Sequence, residues 1–167
     1  MIKSNPCKLC GSIYHTAAFC RDRKTLAAKK TAKPKKPTRS QLVKKLDEMF
    51  SKFIRLDNSD VNGMATCVTC GLSKPWGQMQ NGHYFSRGFK PTRWDEDNCH
   101  VQCYRCNCLL KGNYIEYTLY MAETYSLGFI KQLKEKAHSG EKLFTYQLQE
   151  MIDEYSDDEE ILKFEEV

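Results

Sequence analysis

The sequence lacks any run of about 20 consecutive apolar residues, the length that a helix needs to cross a bilayer. Its N-terminal segment, Met1 to Pro6, also lacks the apolar core of a secretion signal. The 167-residue chain is therefore expected in the cytoplasm, with no membrane partner. In that reducing compartment its nine cysteines are expected to bind metal ions as thiolates and not to form disulfides.

Acidic residues are scarce in the first third of the chain. Residues 1–56 contain 15 Lys and Arg residues but only three Asp and Glu residues, a net charge of +12. The remainder has 11 basic and 18 acidic residues, a net charge of −7, so the total of +5 conceals a strong asymmetry. The basic segment indicates a protein that binds the phosphate backbone of nucleic acid, with a merely solvated charge run as the alternative.

The composition predicts four segments of different character. Between Lys29 and Pro37, lysines are interspersed with two prolines and a single alanine, which is typical of a flexible basic linker. The acidic end of the chain is interpreted as a solubilising tail, or alternatively as a competitor with DNA for the basic segment. In chain order the predicted segments are a metal-binding module at 1–20, the linker at 21–37, a main domain at 38–140, and a helix with an acidic tail at 141–167.

The main domain is predicted to begin with an amphipathic helix. Thr38 and Gln41 have the spacing of a capping box, in which each side chain bonds the backbone N–H of the other. Apolar residues from Leu42 to Leu56 then recur at helical spacing, which predicts a helix of about 18 residues. A second helix is predicted after Asn113, whose side chain is expected to cap it.

A compact metal module precedes the linker. Its three cysteines and one histidine have the Cys-x2-Cys-x4-His-x4-Cys spacing, which resembles a zinc knuckle of the retroviral type. So short a segment cannot fold by apolar burial alone, and bound zinc would supply most of its stability. Tyr14 and Phe19 would either stack on unpaired bases or shield the zinc. The four predicted ligands are Cys7, Cys10, His15 and Cys20.

Two further Cys-x2-Cys pairs lie in the main domain. Each pair presents two thiolates from one tight turn, so the two pairs together are expected to hold one tetrahedral structural zinc ion. Cys99 and Cys108 lie near the second pair but outside its spacing, and they are expected to be reduced, partly buried thiols. The predicted ligands are Cys67, Cys70, Cys103 and Cys106.

Three polar residues between and beside these pairs are candidates for phosphodiester chemistry. His83 can act as a general base, because an imidazole with a pKa near neutrality can take a proton from water. Asn107 offers an oxygen suited to Mg²⁺, and Asn98 is expected to fix the loop that faces His83 or to orient its ring. His100 is left open between phosphate contact, support of the ion and simple packing. Taken singly, each of these residues is more often structural.

The order of these residues is similar to the HNH endonuclease motif of the ββα-metal type. In that motif a hairpin and a helix surround one catalytic ion, and here Asn107 stands in place of the final histidine. In the zinc-stapled branch, two Cys-x2-Cys pairs clamp the ends of the motif. The matching residues are Gly82-His83-Tyr84 followed by Asn98-x4-Cys103-x2-Cys106-Asn107-x3-Lys111.

The stretch from Cys67 to Asn113 closely resembles the phage NinG (Rap) recombination endonucleases, and the likeness extends from Thr38 to about Ala137. The resemblance implies a small α+β fold with a zinc-stapled HNH core and flanking helices. It also implies hydrolysis of branched DNA, such as D-loops and Holliday junctions, in the cytoplasm of a bacterial host. A water activated by His83 would attack the phosphodiester, with Mg²⁺, or Mn²⁺ in its place, held near Asn107.

One position departs from the family pattern. Asn81 lies two residues before His83, where the family commonly has an acidic residue. Because an amide oxygen is neutral, Asn81 is predicted to be a weaker ligand of the Mg²⁺ ion than a carboxylate would be.

Basic and aromatic side chains are predicted to bind the DNA, which is expected to be branched or partly single-stranded. A homodimer is a further expectation, because symmetric resolution of a four-way junction requires two cuts. Two alternatives remain, a nonenzymatic zinc-dependent nucleic-acid-binding protein and an HNH nickase or homing-type enzyme. The predicted DNA contacts are Arg87, Arg93, Arg105, Lys111, Tyr14 and Phe19.

Overall fold

A computed structural model describes residues 7, 8 and 36–157. The chain divides into two compact units, 1–37 and 38–167, and nearly all described residues belong to the second. Among the described residues, no helix combines the length and the apolar character that a membrane span requires. The predicted zinc knuckle lies outside the described residues except for Cys7, which is buried. Tyr14, Phe19 and the acidic tail beyond residue 157 also lie outside them.

The predicted amphipathic helix is confirmed as α1, which runs from Arg39 to Asp57. The predicted capping box is also present. Thr38 Oγ1 accepts a hydrogen bond from the Gln41 backbone N–H at 3.3 Å, and Gln41 Oε1 accepts one from the Thr38 N–H at 2.8 Å. The capped helix buries one apolar face, formed by Leu42, Leu46, Phe50, Ile54 and Leu56.

Two short antiparallel sheets follow α1 in the chain. Their strands are β1 (Met64–Thr66), β2 (Ser73–Pro75), β3 (Gln80–His83) and β4 (Cys99–Gln102). β1 pairs with β2, and Cys67 and Cys70 lie in the turn that joins them. β3 pairs with β4, which sets His83 opposite Cys99. A π-helical turn, Arg105–Leu109, comes soon after β4.

Three further helices are present in the described residues, α2 (Tyr114–Thr124), α3 (Leu127–His138) and α4 (Thr145–Ser156). Asn113 occupies the N-cap position of α2, as predicted, but its side chain does not bond the first turn of the helix. Asn113 has a φ of 45° and makes no capping hydrogen bond; its Nδ2 lies 3.8 Å from the sulfur of Cys106. A side-chain cap is found at α3, where Ser126 Oγ accepts a hydrogen bond from the Phe129 N–H at 3.3 Å.

Two apolar clusters hold these elements together. In the first, α1 packs against α4, with the rings of Phe50 and Phe53 centred 5.6 and 5.0 Å from that of Tyr155. The second contains Tyr117 and Met121 of α2 together with Leu133 of α3. The second unit is therefore a small α+β fold in which short sheets are packed between helices.

Candidate functional site

The four predicted zinc ligands converge in space. The sulfur atoms of Cys67, Cys70, Cys103 and Cys106 all lie within 4.8 Å of one another. The sulfurs of Cys70 and Cys103 are 3.8 Å apart, far longer than a disulfide bond. Sulfurs at about 2.3 Å from a tetrahedral zinc ion are separated by about 3.8 Å. The cluster could therefore bind a metal ion such as zinc, and it joins the β1–β2 turn to the end of β4.

Neighbouring polar groups orient the thiols of this four-cysteine cluster. Thr69 Oγ1 lies 3.2 Å from the sulfur of Cys67. The backbone N–H of Asn107 donates to the Cys103 carbonyl at 3.0 Å, so one metal-binding turn also fixes a predicted catalytic residue. Such supporting contacts typically set the orientation of metal ligands.

Cys99 and Cys108 are free thiols outside the four-cysteine cluster. Cys99 is buried, whereas Cys108 is exposed, so the expectation of partial burial is wrong for Cys108. Exposure follows from the position of Cys108 in the π-helical turn, where its sulfur lies 3.2 Å from Gln80 Oε1 at the surface.

A cleft of about 770 Å³ lies beside the cluster. The polar side chains of β3 and of the π-helical turn form one part of its wall, and the last turns of α1 form another. Its lining includes His83, Asn81 and Asn107, which are three of the predicted functional residues. No Asp or Glu is among the described residues that line this cleft.

His83 is held at the end of β3 with a defined proton. Its Nε2 lies 3.0 Å from the carbonyl oxygen of Arg93. A carbonyl can only accept a hydrogen bond, so Nε2 carries the proton and Nδ1 carries the lone pair. Burial, with the nearby charge of Arg87, lowers the pKa of His83 from 6.5 to about 4. The ring is therefore neutral at physiological pH, and its pKa lies below the near-neutral value on which the sequence-based prediction of a general base relied.

Asn98 contacts the loop after β3 and makes no hydrogen bond to the His83 ring. It is fully buried, and its Oδ1 accepts a hydrogen bond from the Phe85 N–H at 2.7 Å. Its Nδ2 donates to the carbonyls of Phe85 and Thr92 at 2.9 and 2.8 Å. Of the two expectations for Asn98, the geometry therefore favours fixing the loop over orienting the imidazole.

Asn81 and Asn107 contribute amide side chains to the lining of the cleft. Asn107 Nδ2 donates to Gln80 Oε1 at 2.8 Å, which orients the amide and leaves its oxygen as the remaining polar atom. Asn81 is 3% exposed, and its Oδ1 is buried with no hydrogen-bond partner among the described residues. A buried oxygen in that state is costly unless a donor or a cation satisfies it. Amide oxygens are donors of the type that Mg²⁺ binds, but the described lining of the cleft offers such an ion no carboxylate.

The predicted basic contacts differ in their surroundings. Arg87 and Lys111 are exposed and line the cleft. Arg105 is exposed in the π-helical turn but is not part of the cleft lining. Arg93 instead forms a two-fold ion pair with Asp47, with Nε donating to Oδ1 at 2.9 Å. Arg93 already has an anionic partner, which sequence reasoning did not foresee.

His100 packs among the rings of Tyr117, Tyr120 and Tyr125. The Tyr117 hydroxyl donates to the Gly82 carbonyl at 3.0 Å, so it accepts a hydrogen bond from His100 Nδ1, which lies 3.0 Å away. The Tyr125 hydroxyl lies 2.9 Å from Nε2 and donates to it. Burial lowers the pKa of His100 to about 4. Of the three roles left open for His100, packing is the one that these contacts support.

Sequence reasoning missed Arg55, Gln80 and Gln102. Gln102 is fully buried, and its amide bonds the Gly112 carbonyl at 2.9 Å. Arg55 lies on α1 at the edge of the cleft. A polar residue in an alternating strand or a basic residue in an amphipathic helix gives no local signal, because its partner lies far away in sequence.

Comparisons with known proteins give a consistent family assignment. The family model described as "Bacteriophage Lambda NinG protein" matches residues 16–165. Protein ninG of Salmonella phage P22 is 28% identical over 118 residues, which cover 70% of this chain and 55% of the relative. Protein ninG of Escherichia phage 933W is 34% identical over 80 residues, which cover 47% of this chain and 37% of the relative.

The chain therefore spans about half the length of the curated phage P22 relative, and less of the other. No solved structure matches the chain. The family model nevertheless covers far more than half of the sequence. The chain belongs to the NinG family of bacteriophage proteins.

Proposed function

We propose that the chain is a metal-dependent HNH-type DNA endonuclease that cleaves branched DNA during phage recombination in the host cytoplasm. The observation that carries the proposal is the convergence of His83, Asn81 and Asn107 on one cleft. The antiparallel pair β3 and β4, followed by a short helical turn, supports the ββα-metal arrangement.

His83 is the general base of the proposed reaction. Its neutral ring takes a proton from water at Nδ1, while the Arg93 carbonyl holds Nε2. The water oxygen forms a bond to phosphorus, and the bond from phosphorus to the 3′ oxygen breaks. The leaving 3′ oxygen then takes a proton from solvent. The products are a 5′ phosphate and a 3′ hydroxyl.

Asn107 and Asn81 would hold the divalent cation, since their amide oxygens are hard donors at the cleft wall. A bound Mg²⁺ or Mn²⁺ ion would stabilise negative charge on the phosphate and on the leaving oxygen. The four-cysteine cluster would carry a structural zinc ion that keeps the π-helical turn, and Asn107 within it, close to β3. Asn98 would keep the loop after His83 in place.

Charge supports DNA as the partner. Arg87 and Lys111 line the cleft, and the segment 1–56 has a net charge of +12. The predicted zinc knuckle, with Tyr14 and Phe19, would add contacts to unpaired bases at a branch. Paired cuts across a four-way junction would require two copies of the chain, so the proposal includes a homodimer.

Incubation of the purified protein with Mg²⁺ and three DNAs of related sequence tests the proposal. A four-way junction and a D-loop are expected to be cut, and a linear duplex is expected to be cut much less. Binding of all three without scission would instead support the nonenzymatic zinc protein. Equal cutting of the duplex at one sequence would support a nickase or homing-type enzyme.

A further inference from the structure

Arg55 lies at the edge of the cleft and has no carboxylate partner among the described residues. Its Nε donates to the Ser51 carbonyl at 2.8 Å. Its Nη1 donates to the carbonyls of Trp76 and Met79 at 3.4 and 3.3 Å, and the guanidinium lies 5.3 Å from the Trp76 ring centre. Among the described residues, none offers Arg55 a carboxylate within salt-bridge distance, and none bonds Nη2.

Arg93 provides an internal comparison. Both arginines are partly buried and lie over a tryptophan ring, Arg93 at 5.2 Å from the centre of Trp94. Arg93 is neutralised by Asp47, whereas Arg55 bonds only neutral carbonyls. A partly desolvated charge without a counterion is unfavourable unless a ligand supplies one. The guanidinium of Arg55 can therefore bind an anionic ligand, whereas that of Arg93 is already used in a structural ion pair.

The surroundings of Arg55 favour an anionic ligand. The cleft that Arg55 borders also contains Arg87 and Lys111, and no acidic residue is among the described residues of its lining. The acidic side chains of the neighbouring depression, Asp47 and Glu48, pair with Arg93 and with Lys44. Within the cleft itself, the described lining therefore presents positive side chains and no carboxylate.

We propose that Arg55 binds a backbone phosphate of the DNA in the cleft, with Nη2 donating to a nonbridging oxygen. Three backbone carbonyls hold the guanidinium before DNA arrives, so little side-chain entropy is lost on binding. The planar fork of arginine suits a phosphate better than the point charge of lysine. This inference rests on DNA being the partner, as in the proposed function, but not on catalysis.

Binding of a fluorescent four-way junction, without added Mg²⁺ and over a range of salt concentrations, tests the inference. Each phosphate neutralised contributes about −0.9 to the slope of log affinity against log salt. Arg55→Gln is expected to weaken binding and to make this slope shallower by about 0.9. Lys131→Gln is the matched control, because it removes one exposed charge outside the cleft lining, and it is expected to keep the wild-type slope.

A folded Arg55→Gln protein with the wild-type slope would overturn the inference, and so would a wild-type protein that does not bind the junction. If Arg55→Gln fails to fold, Arg55→Lys replaces it, with an unchanged slope but roughly tenfold weaker binding expected. Wild-type affinity in Arg55→Lys would overturn the inference. A protein that binds with the expected slopes but cuts no DNA would contradict the proposed nuclease and leave the phosphate contact supported.

Discussion

At the scale of residues, the cleft is lined by positively charged side chains and by neutral amide side chains. In the proposed function, Arg55, Arg87 and Lys111 would attract a polyanion, while Asn81 and Asn107 would offer only uncharged amide oxygens to a cation. Uncharged donors hold a divalent cation less strongly than carboxylates. The phosphates of bound DNA would then complete the proposed ion site, so we expect cation binding to depend on DNA.

Asn81→Asp tests this dependence at the residue level. A carboxylate at the position of the buried Asn81 oxygen supplies the charge that the cleft lacks. We expect Mn²⁺ to bind this variant without DNA at least about tenfold more tightly than it binds the wild type. Isothermal titration calorimetry or the electron paramagnetic resonance signal of free Mn²⁺ measures the change.

Asn62→Asp is the matched control, because Asn62 is exposed and outside the cleft lining. It adds the same charge and is expected to leave Mn²⁺ affinity unchanged. If both variants bind Mn²⁺ like the wild type, Asn81 does not face the cation and its place in the proposed site is wrong.

At the scale of elements, the β3–β4 pair positions His83. In this pair the backbone of Gly82 lies in close contact with the side chain of Gln102. The side chain of Gln102 crosses Gly82, so a Cβ at Gly82 would lie 2.7 Å from Cγ and Cδ of Gln102. Gln102 is fully buried and bonded to the Gly112 carbonyl and to Thr69, so it cannot move away without loss of these bonds. Glycine is therefore required before His83 for packing reasons.

We expect Gly82→Ala to lower the free energy of unfolding by about 2 kcal/mol, since overpacking in a close-packed interior typically costs 1–3 kcal/mol. Urea unfolding of the zinc-loaded protein measures this loss. Gly77→Ala is the control, because nothing lies within 4 Å of a Cβ there, and it should be close to neutral. Equal stability of the two variants would show that the Gln102 side chain can move away from Gly82 at little cost in free energy.

The elements also show what local sequence could predict. The helix α1 was predictable, because its capping box and its apolar periodicity involve residues only three or four positions apart. The four-cysteine cluster was predictable because metal geometry dictates Cys-x2-Cys spacing. The pairing of Arg93 with Asp47, and the bond from Asn107 to Gln80, join residues far apart in sequence. No local pattern distinguishes such residues from ordinary surface groups.

For the whole molecule, zinc content should report on both metal modules at once. The full chain is expected to bind two zinc ions, one at the four-cysteine cluster and one at the predicted knuckle. Cys103→Ser is expected to leave one ion per chain and to destabilise the second unit, because metal binding supplies folding free energy to small metal-bound domains. Elemental analysis with thermal unfolding measures both effects.

Cys108→Ser is the matched control, because Cys108 is a free exposed thiol near the same turn. It is expected to retain two zinc ions and wild-type stability. A Cys103→Ser protein that keeps both ions would contradict the assignment of the cluster as a zinc site.

The most direct test of the proposed nuclease is the single-turnover rate of four-way junction cleavage by His83→Ala in Mg²⁺. Loss of a general base typically slows a reaction by 10² to 10⁴, and we expect a decrease of about 10³-fold with junction binding intact. His138→Ala, which removes an exposed histidine bonded to the Lys134 carbonyl, should cleave at the wild-type rate. Cleavage by folded His83→Ala at the wild-type rate would contradict the assignment of the cleft as the catalytic site.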